Sequence, residues 1–288
     1  MGEDFTMLGL EITTFRMIRC VFHMKTWKTQ RSTAYLQHRI WTIALDGRLY
    51  NALVPASGQH VLDIGTGTGI WAIEYAEKHP SSSVVGIDIT PVQHTTIPPN
   101  VEFHIFNAEE SWAFEKGFDF IHVRMLIVGI KDWPRLFKQC HDNFNPGGWL
   151  EVQDLVFPLY CDDDSAGPDS PFIEWSHRIY DAALKAGIVM DASIHFAEYM
   201  QNLGFANIQE VPKIPLGPWA QGEKAKILGS FMHENISKGL LGLSLAMFNR
   251  VLGWGKEEVE ADCLKVQKEA DDPTKHIYST MYVIFLDL

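Results

Sequence analysis

The first residues of this 288-residue chain whose spacing suggests chemistry are Asp63-Ile64-Gly65-Thr66-Gly67-Thr68-Gly69, directly after the apolar pair Val61-Leu62. Glycines behind an apolar run mark a loop whose backbone comes close to a nucleotide. A dinucleotide loop has the spacing G-x-G-x-x-G, its last glycine allowing helix and strand to pack beside a pyrophosphate. Gly65 and Gly67 fit that spacing, but Gly69 comes one place early and Ile70 occupies the position the glycine needs. No Gly-Lys-Ser/Thr follows, so a Walker phosphate loop is excluded as well. A carboxylate at the loop entrance, Asp63, repels pyrophosphate and suits a ligand with a positive amine.

Two further apolar runs end in polar groups that complete this reading. Asp88 ends the next run, 23 residues after Gly65, where its two oxygens can accept from both ribose hydroxyls. The third run ends in Asn107-Ala108-Glu109, a turn whose short polar side chain can meet an adenine amino group. An adenosine with an amine and no phosphate describes S-adenosylmethionine. Structural readings stand beside these: Asp63 as the cap of a helix starting near Thr68, Asp88 as an exposed strand end, Asn107 as a turn residue.

Transfer of a methyl group from a sulfonium needs a nucleophile held in line with the breaking bond and shielded from water. A base helps only if the acceptor carries a proton, and histidine is the side chain that titrates near neutral pH. His122 is read either as a catalytic residue or as a hydrogen-bonded residue of a buried strand. His195, between Ile194 and Phe196, reads as a packed or surface histidine. Arg124 is read as the fork that holds a cofactor carboxylate, with a structural ion pair as the alternative.

The elements that must position these groups follow from periodicity. From about Ser32 the run STAYLQHRIWTIALDGRLY has apolar residues at helical spacing and breaks near Gly47. QHVLDIG reads as a strand, GIWAIEYAEKHP as a helix, SSVVGIDIT, NVEFHIFNA and FDFIHVRM as strands, and DWPRLFKQCHDNF as a helix with Pro134 in its first turn. NPGG reads as a turn before the strand WLEVQDL; helices over FIEWSHRIYDAALKAG and SIHFAEYMQNLGF and strands over FANIQEVPKIPLG and HIYSTMYVIFLDL complete the pattern. Alternating strands and helices imply an α/β fold with a parallel sheet, whose ligand crevice lies outside the carboxyl ends of the strands. Residues 1–50 read as an N-terminal helical cap, although 1–30 match no pattern, and 51–288 as one domain. Residues 218–275 form a helical insertion, either a substrate lid, a structural addition or an oligomer contact.

With 24 Lys/Arg against 36 Asp/Glu the formal charge is −12, which disfavours nucleic acid and favours a small or neutral substrate. Cys20, Cys140, Cys161 and Cys263 have no metal-ligand spacing and read as reduced thiols of a cytoplasmic protein, with no metal site. No secretory signal or membrane span is expected. Met1-Gly2-Glu3-Asp4-Phe5-Thr6 matches the loose acylation pattern, and Asn235-Ile236-Ser237 the glycosylation triplet, but neither has a supporting context.

On these residues the chain resembles class I S-adenosylmethionine-dependent methyltransferases, and more narrowly the fungal LaeA-like family. The resemblance runs from about Tyr35 to the C-terminus, through LQHRIW (36–41), VLDIGTGTGIWAIEYA (61–76), VVGIDIT (84–90), PPNVEFHI (98–105), AEESW (108–112), FDFIHVRMLIVGIKDW (118–133), NPGGWLEVQD (145–154) and SLAMFNRVLGW (244–254). It implies a Rossmann-like, seven-stranded, mostly parallel sheet with the last strand antiparallel and helices on both faces. It also implies a cofactor along Asp63, Gly65, Thr66, Gly67, Gly69, Asp88, Ile89, Asn107, Ala108 and Glu109. Gln37, His38, His122 and Arg124 then lie near its methionine end, with His38 a second catalytic candidate. Phe106-Asn107 departs from the usually acidic end of the third strand.

The expected activity is methyl transfer to a small molecule of fungal secondary metabolism, with S-adenosylhomocysteine as product. The alternatives are a cyclase-type enzyme that binds the cofactor without methylating, and a LaeA-like regulator, which would be nuclear. A homodimer or a regulatory protein partner is compatible with either.

Overall fold

A computed structural model describes residues 27–56, 58–92, 96–205 and 213–287 of the chain. Helix α1 (Trp27–Ala44) buries Leu36, Ile40 and Trp41. It stops where Asp46 and Gly47 turn to positive φ, 56° and 84°, so that Gly47 N–H closes back onto the Thr42 carbonyl at 2.8 Å. The expected break near Gly47 falls at that turn. The acylation pattern at residues 1–6 and Cys20 lie outside the described residues.

Strand β1 (His60–Ile64), helix α2 (Ile70–Lys78), strands β2 (Ser83–Asp88), β3 (Val101–Ile105) and β4 (Phe118–Arg124), helix α3 (Trp133–Asp142) and strand β5 (Phe144–Leu155) follow in order. Asp132 caps α3 by accepting from Arg135 N–H at 3.0 Å, with Pro134 in the first turn. Next come α4 (Pro171–Lys185), α5 (Phe196–Asn202), β6 (Lys213–Pro215), α6 (Glu223–Ser244), α7 (Lys256–Ala270) and β7 (Tyr278–Asp287). Of the strand expected over FANIQEVPKIPLG, residues 206–212 lie outside the described residues.

The seven strands form one sheet in the order β3-β2-β1-β4-β5-β7-β6. Pairs β1–β2, β1–β4, β2–β3 and β4–β5 are parallel, and β5–β7 is antiparallel. The order reverses between β1 and β4, which creates the crevice at the carboxyl ends of β1, β2 and β4. NPGG is not a free turn but an excursion within β5: Phe144 pairs with Phe118, and the next pair is Trp149 with Phe120. Asn145 stitches the excursion to the start of β4 by donating to the carbonyl of Gly117, just before the strand, and to Asp119 Oδ1 within it, at 3.2 and 2.8 Å.

The chain divides into two compact units. One comprises His38–Val156, Asp191–Lys213 and Thr280–Leu288. Its core packs Trp71 and Tyr75 of α2 with Val61, Val84, Val101 and Phe120 of the sheet. The other comprises residues up to Gln37, Phe157–Met190 and Ile214–Ser279. There α6 widens into a single π turn at Leu245–Asn249 that buries Ala246, Met247 and Phe248. Trp175 Nε1 donates to Ser244 Oγ at 2.8 Å, and one Arg178 amino group reaches both Asp262 oxygens at 2.9 Å. Asn235 of the glycosylation triplet is buried within α6.

In that second unit, a Cβ placed on Gly229 would overlap the backbone carbonyl of Gly217. A backbone obstacle cannot swing aside as a side chain can. Gly229→Ala is therefore expected to destabilise this unit by roughly 3 kcal/mol, measurable as a lowered denaturation midpoint.

Candidate functional site

Parallel register pairs Asp63 of β1 with His122 of β4, and His122 with Glu151 of β5, so the three stand in one row across the sheet. Residues two apart on a strand share a face, which sets Arg124 and Gln153 in the next row. Asp63, His122, Glu151 and Gln153 are all buried, and burial obliges each to find hydrogen-bond partners. Asp63 Oδ1 accepts from His122 Nδ1 at 2.8 Å, and its Oδ2 from the Thr66 hydroxyl at 2.6 Å. It does not cap the following helix, which begins after Gly69 without a side-chain cap.

The His122 ring lies flat on the Trp71 indole, with centroids 3.7 Å apart and planes within 2°. Burial lowers its pKa, while the Asp63 carboxylate pulls the other way. A neutral ring that donates through Nδ1 fits this setting, and its Nε2 is sealed from solvent.

Glu151 Oε2 accepts from Asn51 and Ala52 N–H at 2.6 and 2.8 Å, and its Oε1 accepts from Gln153 Nε2 at 2.7 Å. Gln153 Nε2 and Trp71 Nε1 both donate to the Leu49 carbonyl, at 3.2 and 3.1 Å. The segment after α1 is thereby fastened to the sheet. Asp154 does the same for the segment after β4, accepting from Leu126 N–H at 2.8 Å. Burial pushes both carboxyl groups, Glu151 and Asp154, up to about 7 against the donors that face them.

The glycine loop turns through left-handed backbone at Gly65, Gly67 and Gly69, with φ of 69°, 60° and 78°. A Cβ on Gly69 would stand 2.6 Å from the Phe103 ring. Asp88 lies at the end of β2, where its Oδ2 accepts from Gly67 N–H and its Oδ1 from the Thr90 N–H and hydroxyl, each at 2.9 Å. After β3, Asn107 Oδ1 accepts from Glu109 N–H at 3.1 Å, an Asx turn. The Ala108 carbonyl accepts from Trp112 Nε1 and Gln139 Nε2 at 2.9 and 3.0 Å. Glu109 Oε1 accepts from Lys131 and Asp132 N–H at 2.9 and 3.0 Å, tying this turn to the start of α3.

At the end of β4 a third polar group forms. Arg124 donates to His38 Nδ1 at 3.1 Å, and His38 Nε2 lies 2.6 Å from Glu74 Oε2 on α2. Among the described residues Arg124 has no carboxylate within ion-pair distance. Burial lowers its pKa to about 10, which leaves it charged at neutral pH. Burial, reinforced by Arg124, lowers the His38 pKa to about 4, so this ring is neutral. Gln37, one residue earlier in α1, has a buried amide nitrogen without a hydrogen-bond partner among the described residues. Ile89 is half-buried beside Asp88, and His195 is exposed.

Asp63, Thr66, His122, Gly67 and Asp88 are thus joined by direct hydrogen bonds or by adjacent turns. Trp71, Glu74, Glu151, Gln153 and Asp154 were not among the residues singled out from sequence. Their visible signal was slight: polar residues alternating in the strand EVQDL, and Trp71 three residues before Glu74 in an amphipathic helix.

A glycine loop after the first strand, a carboxylate ending the second, and a sheet of order 3-2-1-4-5-7-6 define the class I methyltransferase fold. The crystal structure of the [4+2]-cyclase SpnF has the same fold, with a TM-score of 0.51 at 15% identity over 87% of this chain and 81% of that one. The family profile described as a methyltransferase domain matches residues 35–210. Methyltransferase pytC of Aspergillus terreus is 37% identical over 245 residues, 84% of this chain and 76% of its own length. Probable methyltransferase tdiE of Emericella nidulans is 32% identical, over 87% of this chain and 79% of its own. Protein-methionine methyltransferase laeA of Emericella nidulans is also 32% identical, over 85% of this chain and 67% of its own. The chain belongs to the methyltransferase-domain family, among its LaeA-like fungal members, and is a methyltransferase by that membership, which implies use of S-adenosylmethionine.

The residues present fit that cofactor. The glycine loop runs through left-handed backbone at three glycines, Asp88 ends β2 beside it with the Gly67 N–H on its carboxylate, and among the described residues Arg124 has no carboxylate within ion-pair distance.

A carboxyl group with a raised folded pKa binds its proton more tightly in the native state than in the unfolded chain. Stability therefore falls as pH rises from the unfolded value, about 4.3 for a Glu and about 3.9 for an Asp, to the folded value, here about 7 for Glu151 and Asp154. The denaturation midpoint is expected to drop over that window. Glu151→Gln, which removes one of the two titrations, is expected to reduce the slope by roughly half.

Proposed function

We propose that this chain methylates a small molecule of fungal secondary metabolism with S-adenosylmethionine as donor. The observation that carries the cofactor site is the Gly67 N–H bond to Asp88, which sets the loop after β1 and the carboxylate ending β2 in one rigid pair. Similarity to pytC and tdiE over most of the chain supports the metabolic setting, and the charge of −12 supports a substrate other than nucleic acid. Among the described residues no helix is long and apolar enough to cross a membrane; a cytoplasmic location is part of the proposal.

When bound, the cofactor supplies a methyl group on a sulfonium that any well-aligned nucleophile can attack. Asp88, at the end of β2 beside the loop, is the acceptor for the ribose hydroxyls. Asn107, with Ala108 and Glu109, frames the adenine edge, and Asp63 orients the loop through Thr66. Arg124 receives the carboxylate of the cofactor's amino-acid end. In this reading His38 and His122 orient other groups rather than carry protons. His38 uses both ring nitrogens, and His122 is stacked under Trp71 with Nδ1 on Asp63. The acceptor then meets the methyl group already deprotonated or as a neutral amine, since no base is at hand in these two rings.

Calorimetric titration with S-adenosylmethionine and S-adenosylhomocysteine tests the site. Asp88→Ala is expected to weaken both by about 100-fold, the loss of two hydrogen bonds to a charged acceptor. Equal binding by parent and variant would remove the ribose assignment. Incubation of fungal metabolite fractions with methyl-labelled cofactor tests the activity. Label in a small-molecule product is expected, and label only in protein would favour the regulator instead.

A further inference from the structure

Among the described residues Glu74 makes no hydrogen bond to the glycine loop, Asp88 or Asn107, yet its carboxylate is one end of a three-residue chain that finishes at Arg124. An arginine N–H can only donate, so His38 Nδ1, 3.1 Å from it, must be the accepting nitrogen. The ring proton is then on Nε2 and points along the 2.6 Å contact to Glu74 Oε2. A doubly protonated ring would set two donors face to face at Nδ1, and the lowered His38 pKa agrees with a neutral one. Glu74 keeps its charge in this place. Burial works against its ionised form, but Lys78, at 2.8 Å from Oε1, and His38 outweigh it and hold its pKa below the ordinary value.

We propose that Glu74 is a positioning residue for cofactor binding: it fixes the tautomer of His38, and His38 in turn aims the Arg124 guanidinium at the cofactor's carboxylate. The His38 bond is the one hydrogen bond of the Arg124 guanidinium among the described residues. Four of the five guanidinium N–H groups therefore stay available for a bidentate anion, while one is anchored. The proposal rests on the cofactor site described under Proposed function. It adds a residue on α2 that no strand-end motif would reveal.

The test compares Glu74→Gln with Glu74→Met. Both are neutral and close in length, so the loss of negative charge is matched. They differ in that the Gln amide oxygen accepts from His38 Nε2, whereas a thioether accepts only weakly. The probes are S-adenosylhomocysteine and 5′-methylthioadenosine, which shares the thioether nucleoside and lacks the amino acid, each titrated calorimetrically without turnover. S-adenosylhomocysteine is expected to bind Glu74→Gln about tenfold more tightly than Glu74→Met, while 5′-methylthioadenosine binds the two within about twofold. Equal binding of S-adenosylhomocysteine to both variants overturns the proposal, as does a parallel loss of both ligands. Thermal melting of the ligand-free variants shows whether Glu74→Met is folded; if it is not, Glu74→Ala takes its place in the same comparison. A parent protein that binds neither ligand overturns the cofactor site itself, and this inference with it. A parent that binds both, with variants that do not differ, overturns the role of Glu74 alone.

Discussion

The hydrogen bond between His122 and Asp63, 2.8 Å long and closed to water, joins the two central strands at the point where the sheet order reverses. A carboxylate in so dry a place is costly unless its lone pairs are used. Asp63 uses one oxygen for His122 and the other for Thr66, so satisfying its charge also fixes the glycine loop. His122 in turn needs a flat apolar surface, which the Trp71 indole supplies, and that seats α2 on the sheet. The loop, the helix behind it and the central strands are therefore mutually dependent. Such a network holds its shape well only when every member is satisfied.

Other carboxylates of this region act on backbone in the same manner. Asp88 holds Gly67 and Thr90, Glu109 holds the start of α3, Asp154 holds the segment after β4, and Glu151 holds residues 51 and 52. Segments at strand ends have left the sheet ladder, and their N–H groups must find acceptors elsewhere. A carboxyl group meets that need with two oxygens, each able to accept more than one N–H. Part of the acidic character of the chain is thus structural. It shapes the crevice as well as the surface.

The arginine at the end of β4 completes the arrangement from the opposite sign. Its charge is faced by no ion-pair partner among the described residues and is braced from behind by a neutral histidine. A rigid cation of this kind suits an anionic end group of a ligand, since little has to be reorganised when the group arrives.

Sequence periodicity determined most of the architecture, because alternating apolar runs and amphipathic helices admit few arrangements other than a parallel sheet. The glycine spacing, with Asp63 before it and Asp88 beyond, likewise pointed to S-adenosylmethionine, the donor that membership in the methyltransferase family implies. NPGG was misread as a turn because its bonds to Gly117, just before β4, and to Asp119 within it span 28 and 26 residues. The partners of the site residues were hidden for the same reason. His38 meets Glu74 across 36 residues and Arg124 across 86, and Asp63 meets His122 across 59. Whether a histidine is a base or a brace depends on what faces each ring nitrogen. Only tertiary packing decides that, because hydrogen bonds act over ångströms and not over sequence distance.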